Sequence, residues 1–182
     1  MSPRVQIGLL LCAAICIGYL GYLVTVEPKN GISAPALTAV AELADHSLSY
    51  WSFDDLSGEE RHMSEWAGDL LVVNFWATWC LPCRREIPGF MALQDRYAGD
   101  SVQFIGIAFD HTDAVRDYAD ELKINYPLLI GEDSVAEYMR ALGNTIGALP
   151  FSAIISRDGR VVKTHQGEWP EADIERVIRA AL

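Results

Sequence analysis

Hydrophobic and polar positions divide the chain into an apolar segment near the amino end and a longer region of alternating strand and helix patterns. Residues 5–26 contain no charged side chain. A helix of that length, at about 1.5 Å of rise per residue, spans about 33 Å, which is enough to cross the hydrocarbon core of a bilayer. We therefore expect residues 1–26 to form a transmembrane anchor, residues 27–47 a tether and residues 48–182 a folded domain.

A cleaved signal peptide is the alternative interpretation of the same apolar run. Signal-peptide cores are usually about 7–15 residues long, and no small-x-small cleavage site directly follows residue 26. Arg4 precedes the run, and the positive flank of a membrane span belongs on the cytoplasmic side. The pattern favours an uncleaved anchor that places the folded domain outside the cytoplasm.

The folded region alternates two kinds of apolar pattern. The run at 70–76 is almost continuously apolar, which is typical of a strand buried on both faces, whereas apolar residues over 81–97 recur at helical spacing. Strands are predicted at 49–53, 61–63, 70–76, 102–109, 126–130, 150–156 and 161–165. Helices are predicted at 81–97, at 112–122 with Thr112 or Asp113 as its cap, at 133–142 and at 170–182. This order predicts an α/β domain with a mixed central sheet flanked by helices.

Composition narrows the classes of function. Apolar residues make up 51% of the chain, which is ample for one packed core. Acidic residues number 25 against 14 basic ones, for a formal net charge of −11. Because so acidic a surface repels phosphate groups, nucleic-acid binding is not expected.

Cys80 and Cys83 form a C-x-x-C motif between the predicted buried strand and the helix after it. One interpretation is a structural zinc site, which usually needs four ligands. The histidines that would complete it are scattered along the sequence, at His46, His62, His111 and His165. We therefore predict no metal site, and no cofactor.

A redox-active pair is the other interpretation of this motif. At the start of a helix, free backbone N–H groups and the helix dipole stabilise a thiolate at Cys80. Cys83 lies one turn further on, where it can attack a mixed disulfide formed at Cys80. Pro82 is compatible with the first turn of a helix, where its missing N–H costs nothing.

The sequence at 74–84, NFWATWCLPCR, resembles the active-site signature of thioredoxin-fold proteins. More narrowly, it is similar to the TlpA/ResA-like, membrane-tethered thiol–disulfide oxidoreductases, which include the reductants of cytochrome c maturation. The similarity covers about residues 48–180. It implies a thioredoxin-like fold with an N-terminal hairpin extension and a central helix-bearing insertion.

The resemblance also implies residues that bind the substrate. In that family a cis-proline faces the cysteines, and Pro150 stands at the matching position. A cis bond there would leave the backbone of Leu149 open to pair with an extended substrate strand, although an ordinary proline at a strand start is the alternative. Trp79 is predicted to contact substrate, and with Trp76 to wall the core and shield the thiolate.

The position of the acidic residue near the dithiol differs from that in thioredoxin itself. Thioredoxin carries a buried acid six residues before its first cysteine, where this chain has Asn74, which cannot relay a proton. Glu86 matches an acidic residue that the TlpA/ResA-like group places beside the dithiol. It could exchange a proton with Cys83; alternatively, it is an acid that complements the helix dipole.

Together these features predict a reductant of specific protein disulfides. No charge or imidazole lies between the cysteines, and strongly oxidising members of the fold use such groups to stabilise their thiolate. The resemblance implies a single-pass protein of the bacterial inner membrane with its domain in the periplasm or on the outer face. It also implies a membrane electron donor of the DsbD/CcdA kind, and apocytochrome c or a copper-site assembly protein as substrate. The alternative function is a copper-delivering chaperone that binds metal through the two thiolates.

Overall fold

A computed structural model describes residues 51–131 and 133–182 of the chain. This part contains one sheet with α-helices on both of its faces. In chain order the elements are β1 (Ser52–Asp55), β2 (Glu60–His62), a 3-10 helix (Met63–Trp66), β3 (Leu70–Trp76), α1 (Leu81–Tyr97), β4 (Val102–Ala108), α2 (Thr112–Leu122), β5 (Leu128–Ile130), α3 (Asp133–Ala141), β6 (Phe151–Ile155), β7 (Val161–Gln166) and α4 (Glu171–Ala181).

The predicted membrane anchor and tether, residues 1–26 and 27–47, lie outside the described residues. Within 51–131 and 133–182, none of the helices combines the length and the hydropathy that a bilayer crossing requires.

The sheet has seven strands in the order β2-β1-β5-β4-β3-β6-β7. Strands β3, β4 and β5 are parallel, and the connections between them carry helices α1 and α2, as parallel neighbours require. The pairs β1–β2, β1–β5, β3–β6 and β6–β7 are antiparallel. The predicted mixed sheet, its N-terminal hairpin and its closing hairpin are therefore confirmed.

Strand β3 separates two apolar cores. Side chains alternate between the faces of a strand, so Leu70, Val72 and Trp76 pack with residues of α1 and α4, while Leu71 and Val73 pack with residues of α3. All seven residues of β3 are buried. Burial on both faces explains why the sequence of this strand is almost continuously apolar.

Strand β4 lies at the middle of the sheet, between β3 and β5. A Cβ atom added to Gly106 would come within 2.7 Å of Leu128 Cδ2 and 3.1 Å of Trp76 Nε1. Distances under 3.0 Å require neighbouring atoms to move, so the side chains packed over this strand fill the space that any larger residue would need.

The structure corrects several predicted details. The strand predicted at 126–130 is limited to Leu128–Ile130, and the 3-10 helix at Met63–Trp66 was not predicted. The N-cap of α2 is His111, not Thr112 or Asp113. The physical reason is that Asp110 Oδ1 accepts the His111 N–H at 2.8 Å, which fixes the turn one residue earlier.

Candidate active site

The two cysteines lie at the junction between β3 and α1. Cys80 is the N-cap of α1, and its Sγ accepts a hydrogen bond from the Cys83 N–H at 3.3 Å. The two sulfur atoms are joined in a disulfide. Cys80 keeps 6% of its surface exposed and Cys83 none. A reagent from solvent therefore reaches the sulfur of Cys80 before that of Cys83.

Asp110 fixes the loop that leads into this helix. Its Oδ2 accepts hydrogen bonds from the Thr78 N–H at 2.9 Å and the Thr78 hydroxyl at 2.5 Å. Partial burial disfavours the carboxylate, but the hydrogen bonds from Thr78 and His111 outweigh it and lower the pKa of Asp110. An ionised side chain after β4 thus holds the residue two positions before Cys80.

Glu86 lies on α1 one turn beyond Cys83, at a spacing of three that places both side chains on the same helix face. It is only 4% exposed. Its Oε1 accepts a hydrogen bond from Asn74 Nδ2 and its Oε2 one from the Trp169 N–H, both at 2.8 Å. Burial raises the pKa of Glu86 to about 7, although the bonds from Trp169 and Asn74 oppose the shift.

The burial of Glu86 favours the interpretation in which it exchanges a proton with Cys83. An acid that only complements a helix dipole is typically exposed in the first turn, but the first turn of α1 contains no acidic residue. Glu86 instead belongs to a buried polar group with a pKa near neutrality. A carboxyl in that state can hold or release a proton at physiological pH.

Sequence reasoning missed two members of this buried polar group. Ser152 Oγ accepts a hydrogen bond from Asn74 Nδ2 at 3.0 Å, and the Trp169 backbone supplies the second donor to Glu86. Ser152 faces Asn74 directly in the β3–β6 register. The only available signal was the Ser152 hydroxyl within an otherwise apolar strand. A buried hydroxyl needs a hydrogen-bond partner, but the sequence does not identify that partner.

Pro150 directly precedes β6, and its peptide bond with Leu149 is cis, the conformation that the resemblance implied. The Pro150 carbonyl accepts the Gly167 N–H at 2.9 Å. Leu149 packs against the apolar cluster that contains both cysteines. Its backbone has no hydrogen-bond partner among the described residues, so an extended chain could pair with it.

Trp79 does not wall the core, so that prediction was wrong. Its side chain is 64% exposed, because it follows the end of β3 and precedes the first turn of α1. Trp76 is 1% exposed and does form part of the core, as predicted. Trp79 instead lines a surface cavity together with Phe109.

The contacts of His165 are with Trp169 and Glu168. Its ring stacks on Trp169 with a centroid distance of 4.8 Å, and its Nε2 lies 3.2 Å from the Glu168 carbonyl oxygen. Across 51–131 and 133–182, no three His, Cys, Asp or Glu side chains are grouped so that they could hold a metal ion.

The fold and the dithiol define the class as thioredoxin-like thiol–disulfide oxidoreductases. The chain belongs to the Redoxin family, whose model matches residues 29–178. This membership agrees with the predicted class of enzyme.

Named relatives place the chain more narrowly. Thiol-disulfide oxidoreductase ResA of Bacillus thuringiensis subsp. konkukian (strain 97-27) is 30% identical over 178 residues, which cover 97% of this chain and 93% of the relative. Thioredoxin-like protein YneN of Bacillus subtilis (strain 168) is 30% identical over 131 residues, covering 69% of this chain and 73% of the relative. The predicted ResA-like relationship is therefore confirmed, and the chain is a thiol–disulfide oxidoreductase.

Solved structures agree with the fold. A thiol:disulfide interchange protein of the thioredoxin family from Chlorobium tepidum TLS superposes with a TM-score of 0.66 at 28% identity. The match covers 72% of this chain and 92% of that one.

Proposed function

We propose that this protein reduces disulfides of specific client proteins through Cys80 and Cys83 on the outer side of the cytoplasmic membrane. The observation that carries the proposal is the unequal exposure of the two cysteines at the start of α1. Cys80, with 6% of its surface exposed, is the group that attacks, and the fully buried Cys83 is the group that resolves.

The first step is attack by the reduced Cys80 thiolate on a client disulfide. A new sulfur–sulfur bond joins Cys80 to one client sulfur, the client disulfide breaks, and the other client sulfur leaves as a thiolate with the electron pair. The helix start favours the attacking thiolate because the Cys83 N–H already points at the Cys80 sulfur. Leu149 offers its backbone to the client chain during this step.

The second step is attack by Cys83 on the mixed disulfide. The Cys83 thiol must lose its proton before it attacks Cys80 Sγ and releases the second client thiolate. Glu86 takes that proton, because its buried carboxyl has a pKa of about 7 and lies one turn away on the same helix face. Two electrons have then moved from the dithiol to the client, and the Cys80–Cys83 disulfide remains.

The proposal extends to location and partners. An uncleaved anchor at residues 1–26 would hold the domain at the bacterial inner membrane, facing the periplasm or the outer surface. Regeneration of the dithiol there requires a membrane electron donor of the DsbD/CcdA kind. Apocytochrome c and copper-site assembly proteins are the proposed clients. The name of the Bacillus relative, thiol-disulfide oxidoreductase ResA, does not itself specify a client.

Replacing Cys83 by Ser tests the assigned roles. Cys83→Ser removes the resolving sulfur, so mixed disulfides between Cys80 and client proteins should accumulate and appear on non-reducing gels. Cys80→Ser is the matched control, because it keeps a buried cysteine but removes the attacking sulfur. Equal adduct levels in the two variants, or none in Cys83→Ser, would contradict the roles.

Copper delivery remains a prediction. The contacts of His165 are with Trp169 and Glu168, and neither adds support for a third copper ligand beside the two thiolates. Titration of the reduced full chain with Cu(I) separates the two functions. Tight retention of one Cu(I) per chain with negligible disulfide reduction would favour the chaperone over the reductase.

A further inference from the structure

A surface cavity lies beside the attacking cysteine and plays no part in the steps above. Its volume is about 410 Å³, and its lining residues are Trp79, Phe109, Asp110, His111 and Asp133. Trp79 directly precedes Cys80, so a side chain that enters this cavity belongs to a residue close to the client's reacting cysteine. The volume is well above that of a single amino-acid side chain and falls within the range of ligand pockets.

Two exposed aromatic rings form the apolar part of the lining. Trp79 is 64% exposed and Phe109 is 41% exposed. Large aromatic side chains in a soluble domain are usually buried, so a pair exposed around one cavity beside the reactive sulfur indicates a contact surface. The face of an aromatic ring attracts a cation, and Trp binds cations best.

The polar part of the lining consists of two carboxyl groups, from Asp110 and Asp133, and the His111 side chain. Asp110 is held ionised by its bonds from Thr78 and His111, and Asp133 forms no ion pair with another residue of the described chain. Helices α1, α2 and α3 begin at this cavity and contribute about half a positive charge each. Two full carboxylate charges exceed the sum of these three helix-end charges, with His111 not counted, and the chain as a whole carries −11.

We propose that this cavity is a subsite for a cationic side chain, lysine or arginine, that lies within two residues of the client's reacting cysteine. The aromatic rings of Trp79 and Phe109 contact the aliphatic stem of the client's lysine or arginine, and the carboxylates of Asp110 and Asp133 bind its charged end. This inference rests on the proposed reduction of client disulfides, and it specifies which clients react fastest.

Peptide disulfides of matched shape test the subsite. Each peptide contains one cysteine linked to 5-thio-2-nitrobenzoate and one variable residue, placed in turn at each of the two positions on either side of that cysteine. The variable residue is arginine, its neutral isostere citrulline, or glutamate. Attack by Cys80 on the peptide sulfur releases the coloured aromatic thiolate, and attack by Cys83 then releases the peptide thiol.

The measured quantity is the ratio of second-order rate constants for the arginine and citrulline peptides, using the reduced full chain in neutral detergent. We expect a ratio of about five at low salt in at least one position, falling towards one at high salt. Asp133→Asn should lower the ratio about threefold. Asp117→Asn is the matched control, because it removes the same charge from an exposed position on α2 outside the cavity.

The outcomes separate the subsite from the proposed function. A ratio near one at every position, a preference for glutamate, or an equal loss in Asp133→Asn and Asp117→Asn would overturn the subsite while leaving disulfide reduction intact. Failure to react with any of the peptides, including the citrulline one, would overturn both. A ratio lowered by Asp133→Asn alone supports the subsite.

Discussion

At the scale of single residues, Glu86 is the buried acid on the helix that carries the dithiol. One carboxyl group receives hydrogen bonds from the sheet, through Asn74, and from the segment before α4, through Trp169. The acid is therefore supplied by α1 instead of by β3, where thioredoxin has it. Burial is the largest cause of the raised pKa of Glu86. Because that pKa is about 7, the carboxyl group is protonated in part of the molecules at neutral pH.

The first prediction concerns how stability changes with pH. The pKa of Glu86 is about 7 in the folded protein and close to 4.3 in an unfolded chain. Between those values the unfolded state has released the proton and the folded state retains it, so stability falls as pH rises. Relative to Glu86→Gln, the free energy of unfolding should fall by about 3 kcal/mol between pH 4 and pH 8.

Urea unfolding of the oxidised protein across that pH range measures the effect. Glu137→Gln removes an exposed carboxyl from α3 and serves as the control for the loss of one carboxyl group. Parallel profiles for the Glu86→Gln variant and the unsubstituted chain would show that folding does not raise the pKa of Glu86.

At the scale of secondary-structure elements, β4 depends on a residue with no side chain. The alanine methyl group of Gly106→Ala would lie 2.7 Å from Leu128 Cδ2, in the centre of the sheet. Relief of that contact requires the Leu128 side chain to change its conformation in a packed layer where Trp76 Nε1 and Tyr126 Cε2 would also lie only 3.1 and 3.2 Å from the new methyl group. We therefore expect a loss of about 1–3 kcal/mol in the free energy of unfolding. Denaturant titration monitored by tryptophan fluorescence measures it.

Gly99→Ala is the matched control for this substitution. Gly99 is exposed, and an added Cβ would meet no atom within 4 Å. We expect no measurable loss there, because the new methyl group displaces nothing. If the two variants lost equal stability, the packing over β4 would not be the cause.

Local pattern accounts for what was predictable at this scale. The strand at 70–76 and the helix at 81–97 match the observed bounds. Burial on two faces and helical spacing each produce a hydrophobic pattern in consecutive residues, so the sequence alone predicts them. The contacts of Glu86 with Asn74 and Trp169 depend on how distant elements pack, so no local pattern contains them. Trp79 was misassigned for a similar reason, since aromatic residues are usually buried and only the loop geometry turns this one outward.

At the scale of the whole molecule, the direction of electron flow follows from the reduction potential. Leu81 and Pro82 between the cysteines provide no charge that would stabilise the reduced form strongly. We expect the full chain to equilibrate near the thioredoxin value of about −270 mV in thiol–disulfide buffers of known ratio. A potential near −120 mV would instead identify an oxidant.

The hydrogen bond from the Trp169 N–H to Glu86 has a consequence for biogenesis. It joins residues 83 positions apart, and translation produces the partner nearer the carboxyl end last. While a nascent chain is still being synthesised, both cysteines are already present but Glu86 lacks this backbone donor. A premature stop codon before residue 169 would spare Cys80 and Cys83 but remove the backbone donor of Glu86 together with α4 and its core residues Ile174 and Ile178.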